Sequence, residues 1–192
     1  MKFSISFTSL LVILLAALTA YVPVCFAQTA EKAQISGIDL DKAGKELRVS
    51  FALVNCFSPD MEEAVLDGVP TTFRILVSVE KPALVLNETM ADLTLLHTIR
   101  YNRLNNEFQV TLPEDPQKTF VTKSFAQARK WMSTVRRVPV LPTCWLSKDQ
   151  AYYLNVKAEL SKVELPLIFR YILFWASLWD FETGWYTVEF LY

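Results

Sequence analysis

The sequence predicts an α+β domain in which a mainly antiparallel β-sheet, a meander of about seven or eight strands, packs with two short helices. Two observations support this fold class. Apolar and polar residues alternate with a period of two along much of the chain, which is typical of half-buried strands. Only two segments instead combine a helix N-cap with apolar residues at helical spacing.

The predicted strands are defined by their alternating apolar positions. In chain order, these positions are Ile38 and Leu40; Leu47, Val49, Phe51 and Leu53; Phe73, Ile75, Val77 and Val79; Leu93, Leu95, His97, Ile99 and Tyr101; Phe108, Val110 and Leu112; Tyr152, Leu154, Val156, Ala158 and Leu160; and Tyr186, Val188, Phe190 and Tyr192. Turn residues at Asp41–Gly44 and Asn105–Asn106 join neighbouring strands as hairpins.

The first predicted helix covers residues 59–67. Ser58 is suited to the N-cap and Pro59 to the first helical position, and Gly68 is suited to the end of the helix. Helical spacing then turns one apolar face towards the core. The inward positions are Met61, Ala64 and Val65.

The second predicted helix begins at Ser124, which forms a capping-box pattern with Gln127. Its apolar face follows helical spacing, so Trp131 is expected to be a core residue. The positions on that face are Phe125, Ala128, Trp131, Met132 and Val135. Arg136 and Arg137 would then lie at the C-terminal end of the helix dipole.

Composition limits the class of protein. The 192 residues are 52% apolar and 20% charged, which excludes an intrinsically disordered chain. The net charge of −1 supplies no basic field for a phosphate backbone, so we expect no nucleic-acid partner. One folded domain is expected at this length.

The first residues have the pattern of an export signal. Lys2 precedes an apolar run at residues 10–20, Pro23 breaks the run, and Ala27 offers a small residue for cleavage. We therefore expect a signal peptide at residues 1–27 and a single α+β domain at residues 28–192, exported to the periplasm. The alternative is an uncleaved signal that tethers the domain to the membrane, because residues 3–30 are uncharged.

Export also suggests a disulfide bond. Cleavage would remove Cys25 and leave Cys56 and Cys144 in an oxidising compartment, where two cysteines favour one bridge. The alternative is a pair of buried free thiols.

The C-terminal segment, residues 165–192, is rich in aromatic residues. Ten of the 24 residues from Phe169 to Tyr192 are aromatic. They could cover the core, face a partner or lipid headgroups, or line an apolar ligand site. The candidate interaction surface consists of Trp175, Trp179, Trp185 and Tyr186.

The sequence contains no catalytic, cofactor or metal motif that we can identify. His97 is the only histidine and lies in a predicted strand, where a structural role is favoured. Asp180 and Glu182 are a candidate acid pair, but capping or solvating the turn before Gly184 is the favoured explanation. An enzyme is therefore not supported.

Several blocks of sequence together resemble a known family. In chain order, the blocks are Met61–Phe73, Ile99–Val110, Phe125–Ala128, Leu165–Pro166 and Trp179–Trp185. They resemble the DUF4390 family of exported bacterial proteins over almost the whole chain after the signal. The resemblance implies a Gram-negative cell-envelope protein of unknown function, and it transfers no catalytic residue.

These observations favour an exported, non-enzymatic interaction or accessory domain that binds a protein or an apolar envelope partner, with peripheral membrane contact as one form of that binding. The first alternative is a periplasmic small-molecule or lipid-binding protein with an apolar cavity. The second alternative is a hydrolase or transferase that uses Asp180, Glu182 or His97.

Overall fold

The computed structural model describes residues 32–161 and 181–192. Within these residues there are nine strands, two α-helices and one 3-10 turn, which confirms the α+β class with mainly antiparallel sheet. In chain order, the elements are β1 (Gln34–Asp41), β2 (Glu46–Val54), α1 (Pro59–Leu66), β3 (Thr71–Lys81), β4 (Glu88–Asn102), β5 (Glu107–Thr111), β6 (Thr119–Thr122), α2 (Phe125–Met132), β7 (Thr134–Pro142), a 3-10 turn (Thr143–Trp145), β8 (Ala151–Leu160) and β9 (Tyr186–Leu191).

The strands form two sheets and not one continuous meander. The small sheet has the order β1-β2-β7, and the large sheet has the order β6-β5-β4-β3-β8-β9. All pairs are antiparallel. The chain leaves the large sheet after β6, passes through α2 and joins the small sheet as β7, so two distant segments of sequence make the small sheet.

The predicted alternation is the actual burial pattern of the central strands. Leu47, Val49, Phe51 and Leu53 of β2 are buried, and the residues between them are only partly buried. The same pattern holds in β3 and β8, which pair directly with each other. Buried side chains from both sheets belong to one hydrophobic core, so the sheets pack through it.

The first helix agrees with the prediction. The Ser58 hydroxyl accepts a hydrogen bond from the Met61 backbone N–H at 3.2 Å, and Met61, Ala64 and Val65 are buried. Gly68 follows the helix with a φ of +86°, a conformation that costs a residue with a Cβ about 1 kcal/mol.

The second helix is shorter than predicted. Ser124 caps it by accepting a hydrogen bond from the Gln127 N–H, and it ends at Met132. Val135, Arg136 and Arg137 belong to β7, so their assignment to the helix was wrong. The helix stops because β7 pairs with β2, and that pairing continues as far as Thr134 opposite Ala52.

The strands of both sheets run between the same two ends of the domain. We call the end where β3 turns into β4 the tip end, and the opposite end, which carries α1 and α2, the helix end. Both helices lie there because α1 leads into the start of β3 and α2 leads into the start of β7. Among the described residues, no helix combines the length and apolar character needed to cross a membrane. The predicted signal peptide and residues 165–180 lie outside the described residues.

Candidate functional site

The most exposed apolar side chains lie in the loop between β3 and β4. Leu84, Val85 and Leu86 expose between 82% and 106% of the surface area that each would expose in an extended peptide. The strands beneath this loop are the most extensively paired in the fold, since β3 bonds to both β4 and β8. A firmly held hairpin therefore presents three consecutive apolar side chains to solvent.

Two further exposed apolar side chains lie at the same end of the sheets. Leu191 pairs with Ala151 at the start of β8, and its carbonyl accepts a hydrogen bond of 2.7 Å from Lys42 Nζ. Trp145 follows Thr143, whose backbone N–H donates to the Lys45 carbonyl. We call the exposed set Leu84, Val85, Leu86, Trp145 and Leu191 the apolar end surface.

The charges near the β3–β4 loop are of both signs. Lys81 lies opposite Glu88 in the strand register at the base of the hairpin, and Asn87 Nδ2 donates to the Glu80 carboxylate at 3.1 Å. These polar residues at the base of the apolar loop therefore give it no strong field of one sign.

The predicted interaction surface is only partly described. Trp185 and Tyr186 are exposed at the start of β9, an edge strand of the described sheet, whereas Trp175 and Trp179 lie outside the described residues. Lys157 Nζ lies 5.9 Å from the centre of the Trp185 ring. Phe181 and Phe190 of the same aromatic segment are buried, so this segment contributes to both core and surface.

The candidate acid pair is not assembled among the described residues. Glu182 is exposed, and its Oε1 lies 2.5 Å from Lys157 Nζ. Asp180 lies outside the described residues. Lys157 also contacts Glu159, which accepts hydrogen bonds from Arg74. The Arg74 guanidinium holds the pKa of Glu159 below its usual value, and Glu182 raises the pKa of Lys157. This arrangement is a surface ion-pair network.

His97 is fully buried and makes two polar contacts. Its Nδ1 donates to the Met132 carbonyl at 2.9 Å, because a carbonyl oxygen can only accept. Its Nε2 lies 3.0 Å from Glu114 Oε1. Burial acts to raise the pKa of Glu114, but the hydrogen bond and charge of His97 hold that pKa below its ordinary value. The contacts agree with the predicted structural role of His97, and the structure does not bring it together with Glu182.

A cleft of about 450 Å³ lies beside Glu114, between β7 and the turn that joins β5 to β6. The small sheet contributes arginines to its lining, the turn before β6 contributes carboxylates, and β6 and α2 each contribute one aromatic ring. The residues that line it are Arg48, Leu112, Glu114, Asp115, Phe120, Trp131, Thr134, Arg136, Arg137 and Pro139. Sequence reasoning did not identify this cleft, because its walls come from segments that only the tertiary fold brings together.

Cys56 and Cys144, the cysteines in the part of the chain that the structure describes, are free thiols, which corrects the expected bridge between them. Cys56 follows β2 at the helix end, and Cys144 follows β7 at the tip end. The paired β2 residues Ala52 and Glu46 alone separate these ends by roughly 20 Å, at about 3.3 Å per residue. A disulfide needs Cα atoms roughly 4–7 Å apart. The alternative of two buried thiols is also only half correct, because Cys144 is exposed.

Burial raises the pKa of the Cys56 thiol to about 11, so this cysteine is a packed core residue and not an activated nucleophile. Among residues 32–161 and 181–192, no three histidine, cysteine or acidic side chains converge as metal ligands.

The fold and these surfaces define a small α+β domain of two antiparallel sheets that carries an exposed apolar end and a charged cleft. The chain belongs to the family described as Domain of unknown function (DUF4390), which matches residues 30–189. No curated protein and no solved structure matches the sequence.

Proposed function

We propose that this protein is an exported, non-enzymatic accessory domain of the cell envelope that docks a protein partner through the apolar end surface. The observation that carries the proposal is the full exposure of Leu84, Val85 and Leu86 on a firmly paired hairpin. An exposed apolar cluster with a polar rim is typical of interaction sites.

The shape and charge of the loop favour a protein partner. A protein pocket can enclose three protruding side chains on all sides and bury them fully, which is where binding energy concentrates in interfaces. Binding to an anionic lipid surface gains from an excess of basic residues, whereas Lys81 at this loop lies opposite the acidic Glu88 in the strand register. We therefore assign the loop to an apolar groove or pocket on another protein.

The alternatives receive less support from the described residues. A lipid-binding protein needs a large apolar cavity, but the cleft beside Glu114 is open and lined on two sides by charged residues. A hydrolase or transferase needs two of its candidate groups in one cleft, but His97 contacts Glu114 and Glu182 contacts Lys157.

Site-specific photo-crosslinking in cells tests the proposal. A photoreactive residue at Val85 should form one discrete adduct with another protein, and the cross-linked peptide of that protein should map to an apolar groove. Leu104 is the matched control position, since it is 96% exposed in the turn between β4 and β5, at the helix end. A photoreactive residue there should not give the adduct.

The purified partner then provides the quantitative test. Leu84→Ser with Leu86→Ser should weaken its affinity by about tenfold or more, because these side chains would lose a desolvated pocket. Trp185→Ala with Tyr186→Ala, on the other exposed aromatic surface, should leave the affinity unchanged.

Three results would overturn the assignment. Sedimentation of the protein with phosphatidylethanolamine–phosphatidylglycerol vesicles, abolished by the double serine variant, would identify a membrane loop. An adduct of twice the mass of this chain would identify a second copy as the occupant. Loss of partner binding only in the Trp185 and Tyr186 variant would move the interface to β9.

A further inference from the structure

We propose that the cleft between β7 and the β5–β6 turn binds a short peptide with a free N-terminal ammonium and a free C-terminal carboxylate. This site is separate from the apolar end surface and does not depend on it. Arginines, carboxylates and two aromatic rings line this cleft together.

The basic wall belongs to the small sheet. Arg48 lies on β2, and Arg136 and Arg137 lie on β7. Arg137 has a φ of +47°, an irregular geometry at a point where the register of β7 against β2 also shifts. These guanidinium groups offer planar donors that suit a carboxylate.

The acidic wall belongs to the turn between β5 and β6. Glu114 and Asp115 are consecutive and only partly exposed. His97 fixes the Glu114 carboxylate from behind, through the contact of 3.0 Å at Nε2. His97 also donates to the Met132 carbonyl at the end of α2. It therefore links the acidic wall to the helix that carries Trp131.

The two walls do not neutralise each other. Arg48 pairs with Glu46 at 3.0 Å and Arg137 pairs with Asp41 at 2.8 Å, both on their own side of the cleft. Among the described residues, no ion pair joins an arginine of the basic wall to Glu114 or Asp115, which leaves a gap between the two sets of charged groups. Arg136 and Asp115 make no side-chain hydrogen bond or ion pair with any described residue. A ligand with separated opposite charges fits this gap.

Two aromatic rings also line the cleft. Phe120 and Trp131 are half-buried, and their ring centres lie 5.3 Å apart. They provide an apolar platform for a side chain while the ligand termini face the walls. The volume of about 450 Å³ falls in the range that binds small organic ligands and short peptides.

Calorimetry with capped peptides tests the assignment on the full chain. The probe is the tripeptide Gly-Phe-Gly with free termini, compared with its N-acetylated and C-amidated forms. The free peptide should bind best, and each single cap should weaken binding by about fivefold, the effect expected for one partly exposed charge contact.

Two variants assign each terminus to its wall. Arg136→Gln should remove the discrimination between free and amidated peptides, and Asp115→Asn should remove the discrimination between free and acetylated peptides. Arg100→Gln and Asp92→Asn are matched controls, because both residues are exposed on β4 and do not line the cleft. Both controls should retain both discriminations.

The proposal fails if the acetylated peptide binds as tightly as the free peptide, since the acidic wall would then take no part. It also fails if a chain with an unchanged melting transition binds none of the three peptides at millimolar concentration.

Discussion

The fully buried His97 contacts the partly buried Glu114 carboxylate through its Nε2, at 3.0 Å. The other ring nitrogen of His97, Nδ1, donates to the Met132 carbonyl at 2.9 Å. The pair joins β4, the end of α2 and the turn before β6. It therefore couples the packing of the helix to the position of the acidic wall of the cleft.

Glu114→Gln should destabilise the fold at neutral pH by about 1–3 kcal/mol, because a charge-assisted hydrogen bond to a buried imidazole is lost. The pKa of Glu114 is lower in the fold than its ordinary value of 4.5. Its stabilising contribution is therefore present above that value and is lost as the pH falls through the lowered folded value.

Urea unfolding of the wild-type and Glu114→Gln proteins between pH 7 and about pH 3 measures this contribution. The difference in unfolding free energy should shrink on acidification. Asp92→Asn, a change of an exposed carboxylate on β4, is the control and should show little difference at any pH. A difference between wild type and Glu114→Gln that stays constant over this range would show that the contact between the Glu114 carboxylate and His97 does not stabilise the fold.

Met132→Ala should destabilise the protein more than Trp131→Ala. Met132 has no exposed surface, and truncating a buried methionine costs about 2–5 kcal/mol. Trp131 is only half-buried against Phe120, so the 3–5 kcal/mol typical of a core tryptophan is an upper bound for it. Thermal melting of the two variants gives the order, and a larger loss for Trp131→Ala would show that α2 is rotated from its described position.

The sequence was sufficient to predict the strands whose two faces differ in polarity. Residues 47–53, 73–79 and 152–160 alternate because one face meets the core, and each became a strand. The strand β6 has four residues, too few for a periodic signal. β7 was missed because Val135 continues the helical spacing of α2, and because Pro139 and Pro142 are unusual in a strand. Its pairing with β2 accommodates them through shifts in register.

The candidate sites depend on contacts that no local pattern encodes. His97 and Glu114 are 17 residues apart, and the turn that brings them together lies between a predicted strand and an unpredicted one. The sequence does indicate where the strand before the exposed loop ends, because Pro82 interrupts the alternation before Leu84, Val85 and Leu86. Only the structure shows that these side chains are exposed, because a strand in the core could have the same composition.

Gly68→Ala should cost about 1 kcal/mol, since φ is +86° and an added methyl group would meet Arg103 Nε only at an ordinary contact distance of 3.8 Å. The penalty is therefore conformational and not steric. Gly44→Ala is the matched control, because this glycine does not have a positive φ and its nearest contacts are 3.9 Å away. Chemical denaturation should show a loss for Gly68→Ala alone, and equal effects would contradict the left-handed geometry after α1.

The two remaining cysteines of the Cys25→Ser protein should differ sharply in reactivity towards a thiol reagent such as DTNB. Cys144 is exposed and should react at once, whereas Cys56 is buried with a pKa raised to about 11 and should react only when the protein unfolds. One fast equivalent in native buffer and two in denaturant is the expected result. Cys144→Ser should remove the fast equivalent, and Cys56→Ser should leave it. A protein with no reactive thiol under denaturing, non-reducing conditions would instead contain the Cys56–Cys144 bridge, and the pairing of β2 with β7 would have to differ from that described.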